Sequence, residues 1–268
     1  MAARYEAQLA LPPDSLRQLR LRMATLHRRI EARHLASVRL QEVHATRLQA
    51  WLDNPDGTSL RPVFMAAVAA TLGMRSATVT LVGEQRAEAL VAASDETARA
   101  AHDLEVVLGE GPSADVASEG EPIRAAGAAL RDRWPRYGPV VTELGVQAVI
   151  AVPLRLPTVC LGALCAYDRE PAIRDEVAVA AGGIADALTH AVLLTAQSSV
   201  PGEGVPALPL FDEPDYQAAV HQATGMVSVH CGCGIGDAVA LLKARAFADG
   251  RPVEEIALQV VRGEQRLW

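Results

Sequence analysis

Residues 220–261 read VHQATGMVSVHCGCGIGDAVALLKARAFADGRPVEEIALQVV. The spacing predicts three short helices joined by glycine turns. Gly232 and Gly234 flank Cys233 and end the first helix. Gly234 serves as N-cap of the second and places Asp237 at N3, where a carboxylate meets the positive end of the helix dipole. Asp249-Gly250 closes that helix through a glycine at C′. Pro252 falls at N1 of the third helix, with Glu254 and Glu255 in its first turn. Val253, Ile256, Ala257 and Val260 then recur at helical spacing and give one apolar face. The stretch holds no acid–base or nucleophile constellation, so it is expected to bind rather than to catalyse.

Gln222-Ala223, Gly225, Gly232-Cys233, Asp237-Ala238, Leu241-Leu242-Lys243, Ala246, Arg251 and Ile256-Ala257 agree in order and spacing with a known family. Over about forty residues the stretch resembles the ANTAR domain, the RNA-binding antitermination module of bacterial regulators. The resemblance implies a module spanning 215–268 that binds RNA hairpins in a nascent transcript. The implied face includes Ala223, Thr224, Gly225, Lys243, Arg245 and Arg251. Small residues there admit the nucleic-acid backbone, and cations meet phosphate. Thr224 stands where the family has lysine, and His230 where it tends to carry arginine. Both changes remove cations that a polyanionic partner would reward. The alternative is a sensory dimer that binds a small molecule or protein and whose RNA face is degenerate.

The 268 residues fit one to two domains and include enough apolar side chains, 50%, to bury a core. Aromatics make up 4%, so the cores rest on Ala, Val and Leu. The net charge of −7 is unevenly spread. Residues 14–52 carry eight arginines against Asp14, Glu31 and Glu42, a balance of +5; residues 54–196 balance at −7 and residues 212–268 at −3. A nucleic-acid module usually presents a basic face, so any such face here must be local. Four cysteines do not make a disulfide framework in a chain of this length. Apolar runs such as 146–154 are too short to span a bilayer and no leader pattern is seen; no membrane and a cytoplasmic location are expected.

Residues 14–52 predict one long amphipathic helix capped at Asp14 or Ser15 after Pro12-Pro13, within an N-terminal unit 1–53. Leu16, Leu19, Met23, Leu26 and Ile30 follow 3-4 spacing; after a stutter through His34 and Val38 the stripe resumes at Ala45, Leu48 and Leu52. A helix that forms a homodimer and a helix packed on its own domain both fit. Asp53-Asn54-Pro55-Asp56-Gly57 ends it.

The centre, 60–196, alternates helices and strands. It holds a helix at 63–72, a hairpin from 77–82 and 88–93, a second strand pair at 146–154 and 158–167, and a long Ala-rich helix at 174–196. The expectation is an α+β domain with helices on one side of a mainly antiparallel sheet. Gly109-Glu110-Gly111-Pro112, Arg133-Trp134-Pro135, Gly145-Val146, Val152-Pro153-Leu154 and Leu161-Gly162-Ala163-Leu164 carry a resemblance to the GAF domain, a small-molecule sensor fold. It is similar to the type that precedes ANTAR domains in actinobacterial regulators. Members often have cysteine after Gly-Glu-Gly-Pro; here Ser113 follows. The resemblance implies an unidentified small-molecule ligand, with Arg133 and Trp134 as candidate contacts; Trp134 reads most simply as a packing anchor, and Arg131, Arg133 and Arg136 beside it read as a solvated loop or as contacts for an anionic ligand. The Pro- and Gly-rich segment 197–214 predicts a semi-rigid tether to 215–268.

Other side chains read as structural. Cys231 and Cys233 lack a second pair for metal, and core packing is the expected role. Cys160 and Cys165 fall on opposite faces of one strand. His102 is expected at the surface or at a cap. Arg133, Glu143, Asp168 and the histidines are scattered, with no spacing that makes an enzyme site, so an enzyme is not expected.

Overall fold

The computed structural model describes residues 16–53, 63–82, 88–198, 214–251 and 253–267. The expected helix start at residues 12–15, the turn at 54–57, most of the tether and Pro252 lie outside these. In chain order come α1 (Arg17–Leu52), α2 (Phe64–Leu72), β1 (Ser76–Val82), β2 (Glu88–Ala93), α3 (Glu96–Leu108) and α4 (Pro112–Glu119). Then follow β3 (Ile123–Ala126), α5 (Ala128–Arg133), α6 (Tyr137–Glu143), β4 (Ala148–Arg155), β5 (Cys160–Asp168) and α7 (Asp175–Ser198). The last three are α8 (Pro214–Cys231), α9 (Ile235–Asp249) and α10 (Val253–Val261).

The strands lie in the order β2-β1-β5-β4-β3, and each neighbouring pair is antiparallel. Strand alternation sends successive side chains to opposite faces. Ala77, Val79, Leu81, Ile150, Val152, Leu154, Leu164 and Ala166 join one core, under α1, α2 and α7. Val149, Ala151, Ala163, Cys165 and Tyr167 join a second, under α3–α6. The expectation of helices on one side is therefore corrected: both faces are covered. The physical reason is legible in the strands themselves, where residues of both parities are buried in β1, β4 and β5, a pattern that leaves no face for water.

On the second face β1 presents Thr78 and Thr80 rather than aliphatic side chains, and both are buried. A polar lining there needs hydrogen-bond partners: Tyr167 of β5 supplies one to Thr78 and His102 of α3 one to Thr80.

Helix α1 packs on its own domain through Leu40, at the edge of the first core, and through Arg29, whose Nε donates to Asp186 Oδ2 of α7 at 2.5 Å. Along it Leu19, Leu26, Leu35, Val38 and Leu52 are exposed. Helix α7 qualifies the membrane expectation: Asp175–Leu194 is by length and composition apolar enough to cross a bilayer. Its Val177, Ala181, Ile184 and Leu188 are buried in the first core.

Helices α8–α10 build a third core from Ala223, Val227, Ala238, Leu242, Ala246, Val253, Ile256, Ala257 and Val260. Gly232 and Gly250 hold positive φ of 63° and 62°, which lets the chain reverse without a Cβ penalty. Helix α9 rests against α3.

One glycine fixes the sheet. Gly162 on β5 faces Leu81 of β1, and a Cβ there would overlap the carbonyl oxygen of Thr80. We expect Gly162→Ala to push β1 from β5 and to cost at least about 2–3 kcal/mol, read as a lower urea midpoint than that of Ala163→Gly, which leaves the strand contact in place.

Candidate functional site

Helix α3 starts under the carboxylate of Asp95, whose Oδ1 accepts from Ala98 N at 2.9 Å. Its buried stripe is Ala98, Ala101, His102 and Glu105, a one-face helical spacing in which two of four residues are ionisable. His102 is 3% exposed, which corrects the expectation of a surface or capping role; its Nδ1 lies 3.5 Å from Thr80 Oγ1. The period brings it to the sheet, where the β1 threonines can face it.

Glu105 is likewise 3% exposed. Its Oε1 accepts from the Ser113 hydroxyl and, at 2.7 Å, from Ala114 N. Its Oε2 is buried with no hydrogen-bond partner among the described residues. Burial pushes the Glu105 carboxyl above its ordinary range, and His102, the Ser113 hydroxyl and the N–H groups at the start of α4 only partly offset it. Nearby, Tyr167 and Thr78 share a 3.2 Å hydroxyl contact. Burial, then the charge of Glu105, raises the Cys165 thiol well above its usual value, so it stays protonated.

The stretch Gly109–Ser113 builds this arrangement residue by residue. Gly109 ends α3 with φ of 63°. Glu110 turns outward and caps α6: Oε1 accepts from Arg136 N at 2.7 Å and Tyr137 N at 2.9 Å. Desolvation works against that charge, but those two N–H groups and the Arg136 guanidinium win, and its pKa is lowered. Gly111 must lack a side chain, because a Cβ there would overlap Glu105 Cγ. Pro112 opens α4. Ser113 then supplies the hydroxyl donor, a better one than the thiol of a cysteine.

Glu105 and Ser113 line a cleft of 580 Å³ between α3, α4 and the sheet. Thr80, Val82, Cys160 and Ala163 form its strand side, and Val159 its rim. This volume lies in the range of small-molecule sites.

The two residues expected to touch a ligand lie elsewhere. Trp134 is buried, with its Nε1 donating to Asp115 Oδ2 at 3.1 Å and its ring edge-on to Tyr137 at 5.9 Å. Arg133 pairs with Asp115 at 3.2 Å and Glu119 at 2.8 Å and covers the Trp134 ring at 5.6 Å. Neither lines the cleft; they clamp α5 to α4. Packing is the simpler role the Arg-Trp-Pro motif offers, and Trp134 fills it.

The residues expected on an RNA face divide. Ala223 is buried in the third core, and Thr224 is buried beside it, its hydroxyl donating to Val220 O at 2.7 Å. Their place in the helix core overrides the expected exposure. Gly225 is half-buried. Arg245 pairs with Asp249 at 2.7 Å, and Arg251 with Glu255 and, at 3.1 Å, Gln259 Oε1. Lys243 and Arg251 come together in a second groove, 660 Å³, whose opposite wall includes Asp103 and Leu104 of α3 and Glu143 of α6.

Sequence reasoning singles out Ser113 and Cys160 but not Glu105 or Thr80. The available signal was the spacing 98, 101, 102, 105, which puts His and Glu on the buried stripe of an otherwise Ala-rich face.

Residues 60–192 match the family model described as GAF domain. No curated protein matches the chain. Among solved structures, the chain is similar to a domain of a protein described as a two-component sensor histidine kinase from Sinorhizobium meliloti 1021, with 20% identity, TM-score 0.40, and coverage of 51% of this chain and 92% of that one. A GAF domain of phosphoenolpyruvate-protein phosphotransferase from Acinetobacter gives 11% identity, TM-score 0.36, and 58% and 96% coverage. The chromophore-binding domain of an unusual bacteriophytochrome from R. palustris gives 14% identity, TM-score 0.34, and 63% coverage of each chain.

The raised Glu105 pKa carries a stability prediction. The folded chain holds that proton more tightly than the unfolded one, so this contribution is full below the ordinary carboxylate range and is lost as pH rises through the raised value. Urea unfolding of Glu105→Gln should therefore give a higher midpoint than wild type at pH 7, with the difference shrinking toward pH 4.

Proposed function

We propose that, with residues 60–192 a GAF sensory domain, the chain is a signal-responsive regulator. A small molecule occupies the Glu105 cleft, and occupancy is relayed to helices α8–α10, which bind hairpin RNA in a nascent transcript and act in antitermination. The observation that carries this reading is the two-sidedness of α3. Its inner face places His102 and Glu105 at the sheet, while Glu96, Arg99, Asp103 and Leu104 on its outer face line the groove against α9. Any ligand that moves α3 moves the surface on which Lys243 and Arg251 rest. Release of α9 from α3 would present both cations to phosphate.

The ANTAR resemblance names RNA as the partner. The ion pairs of Arg245 and Arg251 are short-range pairs on exposed helix faces, of a kind that contributes little and exchanges readily for phosphate. The exposed leucines of α1 supply a surface for a homodimer. In this reading the protein acts by binding rather than turnover and works in the cytoplasm, beside nascent RNA. A second reading, a sensory dimer with a degenerate RNA face, draws on burial of Thr224 and the internal pairing of both arginines.

Fluorescence anisotropy with tandem-hairpin RNA separates the two. We expect binding at low salt that weakens with added salt, and Lys243→Glu to reduce affinity about threefold to tenfold while lowering the salt slope by about one contact. Absence of binding at low salt by a folded protein would leave the sensory reading standing alone.

A further inference from the structure

The cleft also specifies the chemistry of its occupant. This step rests on its reading as the sensor site. We infer that it takes a compact, largely apolar molecule carrying a cationic nitrogen head with N–H donors, received by the Glu105 carboxylate.

Three observations converge. First, the carboxyl is half used. Oε1 has two donors, the Ser113 hydroxyl and Ala114 N, whereas Oε2 is buried and has none among the described residues. A buried carboxylate oxygen without a donor is costly, and a turn of the carboxyl that brings it to a ligand N–H in the cleft removes that cost. A cationic head makes the bond charge-assisted and so about twice as strong as a neutral one.

Second, the described lining favours a cation over an anion. Glu105 is the one charged side chain among the described lining residues; His102, which does not line the cleft, acts on the carboxyl from one turn back on α3. The start of α4, which would otherwise attract a negative group, already spends Ala114 N on Glu105 itself. The carboxylate thus occupies the place an anionic ligand would need.

Third, the remaining walls are mostly apolar. Val82, Val106, Ala117, Val159 and Ala163 surround the carboxyl, with hydroxyls from Thr80 and Thr158. Such walls suit a ring or branched hydrocarbon body, and one polar contact then fixes its orientation.

The probes are benzamidine, benzoate and benzyl alcohol, which share a ring and differ in head group. The full chain is titrated calorimetrically with each, and the alkylation rate of Cys160 by iodoacetamide is followed by peptide mass mapping. Cys160 lines the cleft, so it reports occupancy whatever the head group. Benzamidine should slow Cys160 alkylation and bind at least about tenfold more tightly than benzoate. Its affinity should rise with pH as Glu105 ionises, since the amidine stays charged throughout. Glu105→Gln should abolish both the preference and the pH dependence. Should that variant fail to fold, the wild-type head-group ratio and pH profile decide alone.

Benzoate binding as tightly as benzamidine, or a pH-independent benzamidine affinity, would overturn the inference. Protection of Cys160 by benzyl alcohol or benzoate with benzamidine inert would overturn the head-group class and leave the sensor site intact. Failure of all three to protect Cys160 would remove the sensor site, and the inference with it.

Discussion

A sheet with no face for water is the constraint on which the rest of this structure depends. In β1, β4 and β5 residues of both parities are buried, so helices must cover both sides. One side is filled with aliphatic groups and closed by α1, α2 and α7. The other carries Thr78, Thr80, Cys165 and Tyr167, and a layer lying on hydroxyls cannot be wholly hydrocarbon. The polar chemistry of α3 follows from that: His102 and Glu105 stand where an ordinary amphipathic helix would bury leucine.

Holding a carboxyl in such a place demands local machinery, and the chain concentrates it in five consecutive residues. Gly109 stops α3, Glu110 braces α6, Gly111 clears space for Glu105, Pro112 starts α4 and Ser113 donates a hydrogen bond to the carboxyl. Arg133 and Trp134 tie α5 to α4 through Asp115, securing the helix whose first N–H groups face Glu105. Oε2 is left buried and without a hydrogen-bond donor among the described residues.

Helix α3 also connects the two halves of the molecule. Helical periodicity gives it one face for the sheet and another for α9, so a rigid element touches both the cleft and the groove holding Lys243 and Arg251. Under the proposed function, coupling requires only that a ligand and the C-terminal helices favour different positions of the same helix.

Periodicity and turn chemistry were enough to place many elements: the hairpin of β1 and β2, the pairing of β4 with β5, the long helices α1 and α7, and the apolar stripe Val253, Ile256, Ala257 and Val260. These are local signals, set by alternation, caps and glycines. The helical layer on the second face of the sheet escaped that reading because 96–143 is cut into short pieces that need the sheet to define their inside. The same holds for individual side chains. Sequence marks Gly109–Pro112 and Arg133-Trp134 as motifs, yet only packing decides that the first builds a site and the second a clamp. It marks Thr224 as a lost cation, yet only the three-helix core puts that residue out of reach of solvent. Local spacing determines which residues share a face of one element. Whether that face meets water, hydrocarbon or a buried carboxylate depends on what the rest of the chain lays against it, and that is decided by tertiary structure alone.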